Sequence, residues 1–152
     1  LTVFVQNKDF KAGETINRLS KENTTGAVVS FVGFVRSFYD GQSDAKDMKL
    51  EIEHYPKMTL KSLEQIEQEA RLRWSINNVE IIHRFGELKM NDQIVLVAVS
   101  SSHRKEAFLA CEFIIDYLKT EAPFWKKEIT DSKEEKWVEI KEADINKKNN
   151  WF

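Results

Sequence analysis

Cysteine occurs once in the 152-residue chain, at Cys111. A single thiol excludes an internal disulfide and any multi-cysteine zinc site, and it fits a reducing compartment, so a cytoplasmic location is expected. Proline occurs twice and glycine five times, with no repeat, low-complexity tract or linker-like stretch. The elements are therefore expected to join compactly, as one domain over 1–152. Long apolar runs are missing too. GAVVSFVGFV from Gly26 and IVLVAVS from Ile94 are half the length a spanning helix needs and are rich in β-branched residues, which predicts buried strands and no membrane span. The opening LTVFVQNKDF has none of the basic, apolar and small-residue regions of a secretory signal, and it lacks an initiator methionine, consistent with trimming. Charge of one sign is also scarce. Lys and Arg number 23 against 25 Asp and Glu, a net of −2, unlike the strongly basic domains that bind nucleic acid. Any anion site has to be local.

What the chain does hold is 41% hydrophobic residues, enough for one well-buried core. Thr2 to Gln6 is expected as a short strand and Ala12 to Lys21 as a short helix. Gly26 to Val35 is apolar on both faces, which predicts a strand that is central or covered twice. Arg36 to Met48, with a central Asp-Gly, has the composition of a hairpin loop. Lys49 to His54 alternates, with Leu50, Ile52 and His54 on one face. Pro56 suits a first helical turn, and Leu63, Ile66, Ala70 and Trp74 recur behind it at helical spacing. Strands are expected at Val79 to Arg84 and Gln93 to Ser100, separated by FGELKMND with its turn residues Gly86 and Asn91-Asp92. A second long helix runs from about Ser102 to Thr120, with Ala107, Cys111, Ile114 or Ile115, and Leu118 on one face. Pro123 forbids its continuation. Phe124 to Thr130 and Lys136 to Ile140 then pair as closing strands before a polar tail ending in an exposed Trp151-Phe152. The order predicts an α+β fold, two long amphipathic helices packed on a largely antiparallel sheet.

Local rules break at the start of the second helix. SSSHRKEAF supplies a serine N-cap and then sets His103, Arg104 and Lys105 in the first turn, where the helix dipole favours negative charge. An anion held there, such as a phosphate, would remove the conflict; a solvated basic turn is the plainer alternative. Lys119 suits the dipole at the helix end and reads equally well as a surface lysine. In the following strand Trp125, Lys127 and Ile129 share one face and Phe124, Lys126 and Glu128 the other. Trp125 and Ile129 are the expected core pair, which leaves Lys126 pointing to solvent or into a cleft. Two ammonium groups in one cleft would depress a lysine pKa toward neutrality and allow acid–base work. Cys111 is expected to be a buried structural thiol. His54 and His83 share strand faces with apolar residues, and no histidine pair has metal spacing. No metal site and no resident cofactor are expected.

The motifs GAVVSFVGFVR, LEIEHYPKM, IIHRFGEL, SSSHRKEAF and DYLKTEAPFWKKE, followed by KWVE from Lys136, resemble the large subunit of molybdopterin synthase, in order and without large gaps over about residues 26 to 139. The resemblance implies an α/β hammerhead-like arrangement and a sulfurtransferase. Its substrate would be a cyclic pyranopterin monophosphate, converted to the molybdopterin dithiolene of molybdenum cofactor biosynthesis. The sulfur would come from a small ubiquitin-like subunit whose C-terminal Gly-Gly thiocarboxylate enters the pocket, in a heterotetramer built on a large-subunit homodimer. Carried over by motif, Lys119 and Lys126 are the catalytic pair. Phe34, Val35, Arg36, His103, Arg104, Lys127 and Glu128 join them in binding substrate, with His103 and Arg104 reaching in from the neighbouring protomer. A non-catalytic module that binds an anion or peptide tail in the same basic cleft is the alternative, and an interaction protein anchored by Trp151 and Phe152 is a third.

Overall fold

In the computed structural model, residues 2–36, 48–129 and 135–152 are described; the interior of the expected loop at 36–48 lies outside them. The chain runs β1 (Val3–Gln6), α1 (Ala12–Leu19), β2 (Ala27–Phe34), β3 (Lys49–His54), α2 (Pro56–Arg73), β4 (Asn78–Arg84), β5 (Gly86–Lys89), β6 (Gln93–Ser101), α3 (Arg104–Leu118), β7 (Phe124–Ile129), β8 (Glu135–Trp137) and α4 (Glu142–Asn149). The α+β class and the two long helices are as expected. The strands divide into two sheets, ordered β1-β4-β6-β2 and β5-β3-β7-β8. Every pairing but β1 with β4 is antiparallel.

The first sheet is covered on both faces, which is why its central strands are apolar without alternation. Val79, Ile81, Val97 and Val99 pack under α2 and α3 against Leu63, Ile66, Ala110 and Ile114. Ile82, Leu96 and Ala98 meet Phe10 and Leu19 beside α1 on the other face. Glu80 is the polar exception there, and Arg18 (2.7 Å) and Thr15 Oγ1 (3.0 Å) from α1 satisfy its carboxylate. Strand β2 is covered twice, by α1 and α3, yet it lies at the sheet edge. Apolarity on both faces reports coverage and carries no information about strand order.

The second sheet buries one face, where its own Leu50, Ile52 and Leu88 pack with Val35, Met48 and Ile94. Its β5 occupies part of FGELKMND, where a turn alone was expected. With Leu88 its single buried residue, the segment is too short to show a period, and pairing with β3 (Leu50 opposite Leu88) makes it a strand. Gly86 (φ 87°) and Asn91 (φ 68°) turn the chain at its two ends. The C-terminal tail also differs from expectation. It folds as α4, and Trp151 packs edge-on against Trp74 and Phe113 while its Nε1–H donates to Asp116 Oδ2 at 2.8 Å. Of the two terminal aromatics, Phe152 remains largely exposed.

Candidate active site

The corner after α3 brings the two lysines together. Lys119 occupies the helix C-cap, and the Glu121 N–H donates to Tyr117 O (2.8 Å) while Thr120 Oγ1 donates to Asp116 O (3.0 Å), winding the chain off the helix. Pro123 stops it, and β7 returns beside β3 with Phe124 opposite His54, Trp125 opposite Glu53 and Lys126 opposite Ile52. Residues paired across a ladder share a face, and Ile52 is almost fully buried. Lys126 therefore lies on the inner face of the sheet, and Trp125 lies on the outer face, 41% exposed and edge-on to Tyr55. The expected core pair of Trp125 and Ile129 is thus corrected. Pairing with β3 sets the parity of β7, and the larger aromatic does not override it.

Lys119 and Lys126 line one cleft of about 240 Å³ at the seam between the two sheets and the end of α3. Phe34, Val35 and Arg36, at the end of β2, lie on the same wall. So do residues sequence reasoning did not single out: His83 from β4, Glu139, and Lys141 and Asp144 at the start of α4. Four cationic side chains face two carboxylates in a chain whose net charge is −2. Burial, and then the Lys119 charge, hold the Lys126 ammonium below the usual lysine pKa, and the Lys141 charge acts in the same direction while Asp144 opposes it. Such a lysine exchanges its proton nearer neutrality than a solvated one. His83 stacks on Phe124 at 3.7 Å and donates from Nδ1 to Arg84 O at 2.8 Å. Burial pushes its pKa down to about 3, so the imidazole is neutral at physiological pH. Its only sequence signal was a place on an apolar strand face.

The remaining expected residues lie elsewhere. His103 and Arg104 are exposed at the opposite end of α3, a helix of 15 residues and about 22 Å. One chain cannot bring them to its own Lys119. His103 itself takes the cap position where a serine was expected, because Ser100 and Ser101 are buried at the end of β6 and Ser101 Oγ donates to Ser75 O. Lys127 faces outward, ion-paired to Glu135 (3.1 Å) and over the Trp137 ring. Glu128 shares the inner face with Lys126, opposite Leu50, but does not line the cleft. Cys111 is buried with its thiol toward Val97 O, and burial pushes its pKa up to about 12. That chemistry is inert, in line with a structural thiol. Among the described residues no cluster of His, Cys, Asp and Glu could hold a metal ion, and no helix is long and apolar enough to cross a membrane.

The family model described as "MoaE protein" matches residues 5–121, a span that contains Lys119 and stops short of Lys126. Curated relatives named molybdopterin synthase catalytic subunit extend the likeness. The Vibrio cholerae protein is 46% identical over 149 residues, covering 98% of this chain and 97% of the relative. The Escherichia coli protein is also 46% identical, with the same coverage of both. Among solved structures, molybdopterin synthase from Staphylococcus aureus superposes with a TM-score of 0.81 at 36% identity, covering 91% of this chain and 98% of that one. The molybdopterin cofactor biosynthesis protein E from Burkholderia multivorans gives 0.79 at 47%, covering 99% and 95%.

Proposed function

This chain belongs to the MoaE protein family, and from that membership we infer that it is the catalytic subunit of a molybdopterin synthase. It transfers sulfur from a thiocarboxylated small ubiquitin-like subunit to a cyclic pyranopterin monophosphate, making the molybdopterin dithiolene. The observation that carries the reading at residue level is the convergence of Lys119 and Lys126 on one positively charged cleft. A lysine with a lowered pKa beside a second cation suits both needs of the reaction: proton transfer as sulfur adds and the pterin ring opens, and stabilisation of the oxyanion or carboxylate that forms at the carrier's terminus. Arg36, with Phe34 and Val35, supports an anion-binding wall beside the pair. His103 and Arg104 would complete the phosphate site from the second chain of a homodimer, within a heterotetramer that includes two small subunits. A cytoplasmic location belongs to the same proposal.

The test is reconstitution from the purified chain, thiocarboxylated small subunit and pyranopterin monophosphate, following dithiolene formation. Lys119→Ala is expected to lower the rate by about 10²- to 10⁴-fold, the usual scale for losing a positioned proton donor or charge. Equal rates would remove Lys119 from the mechanism. Binding of the carrier tail without consumption of either reactant by the unsubstituted chain would instead favour the non-catalytic module.

A further inference from the structure

The C-terminal helix α4 is tied at both ends to the elements that carry the two lysines. At its start, the Val138 N–H donates to Lys126 O at 2.8 Å, so the chain leaves the second sheet directly beside Lys126 and turns into α4 four residues later. At its end, the Trp151 Nε1–H donates to the buried Asp116 carboxylate of α3 at 2.8 Å, Arg73 donates to Trp151 O at 2.8 Å, and Lys148 pairs with Glu121 at 2.6 Å. Strung between β7 and the end of α3, α4 bridges the gap across which Lys119 and Lys126 face each other. Its N-cap Lys141 and first-turn Asp144 line the cleft.

We propose that α4 is a working wall of the reaction cleft and that Asp144 is a positioning residue, the counter-charge that sets the protonation of Lys126 against Lys119 and Lys141. This rests on the part given to Lys126 in the proposed reaction. The charged and titratable groups that line the cleft with Lys126 are Lys119 from α3, Arg36 beyond β2, Glu139 and Lys141 ahead of α4, Asp144 within it, and His83 from β4; His54, on the same inner face of the paired strand β3, has its pKa lowered by burial. His83 is neutral, and Lys119, Lys141 and Asp144 are the charges felt most by Lys126. Asp144 offsets the two lysines from a helix whose position is fixed by Trp151, so the protonation of Lys126 depends on α4 being docked.

The experiment follows the Lys126 titration directly, by NMR of the full chain labelled with [13Cε]lysine, beside the pH profile of dithiolene formation. Asp144→Asn should move the Lys126 midpoint to lower pH by about half a unit, Lys141→Met should move it to higher pH, and Asp144→Glu should restore it. The limb of the rate profile governed by Lys126 should move with it, whether the lysine acts as acid or as base. An undocked α4 would hydrate Lys126 and raise its midpoint, so the sign of the change in Asp144→Asn separates a charge effect from a folding defect, and the Trp151 indole N–H resonance, held by its hydrogen bond to Asp116, reports docking independently. An unchanged or raised midpoint in Asp144→Asn overturns the inference. A midpoint that moves as expected while the rate profile stays fixed upholds the role of Asp144 and removes Lys126 from the reaction instead.

Discussion

Lys126 and His83 illustrate how an ordinary side chain acquires unusual chemistry from its surroundings. Both side chains line the same cleft, and desolvation is the leading cause of each one's displaced titration. For His83 this has a consequence for stability. Its folded pKa of about 3 lies below the value of about 6.5 expected in the unfolded chain. Between those values the unfolded chain binds a proton that the folded chain refuses. Stability is therefore intact above about pH 6.5 and declines below it, by up to about 1.4 kcal/mol per pH unit from this residue. Urea unfolding at pH 7.5 and pH 5 should show the loss in the unsubstituted chain and a smaller loss in His83→Gln. Parallel losses would assign the acid sensitivity to other groups.

The elements were legible wherever a period could develop over several residues. Helix α2, with Pro56 at its first turn and Leu63, Ile66 and Ala70 buried, was readable from spacing alone. Strand β5 was not, since four residues with one buried side chain carry no period. Helix α4 was not either, because it has no buried residue and is held by its tethers. One junction between elements is sterically exacting. Gly26 opens into β2 with its N–H on Ser101 O at 2.9 Å, and a Cβ there would lie 2.1 Å from the Ser102 carbonyl oxygen, which is backbone and has little room to retreat. Gly26→Ala should therefore destabilise the chain by about 3 kcal/mol or more, read as a fall in the urea midpoint at unchanged slope. A cost under about 0.5 kcal/mol would show that the β6–α3 junction can shift.

At the scale of the whole molecule, charge and length set the constraints. A chain of net charge −2 gathers Arg36, Lys119, Lys126 and Lys141 at one cleft, which gives local attraction for an anionic substrate without general polyanion binding. The basic start of α3 stands a helix length away, so its contribution to such a site requires a second copy of the chain. Mixing Arg104→Ala with Lys119→Ala chains tests that requirement. If the sites are shared, half of the randomly reassociated dimers hold one intact site of two, and roughly a quarter of the unsubstituted activity should return. No recovery on mixing would confine each site to a single chain.

The sequence by itself determined the α+β class, the long helices, most strands, the inert character expected of Cys111 and the motifs that point to the family. These depend on local periodicity, turn chemistry and residue identity, all of which are written in short windows of the chain. Only the tertiary structure decided that there are two sheets, that β2 is an edge, and that Lys126 turns inward while Trp125 turns outward. It also brought His83, Lys141 and Asp144 to the cleft of Lys119. Strand parity is fixed by the register with a partner strand, and a titration by every charge and void within reach, and neither is a property of the segment in which the residue is written.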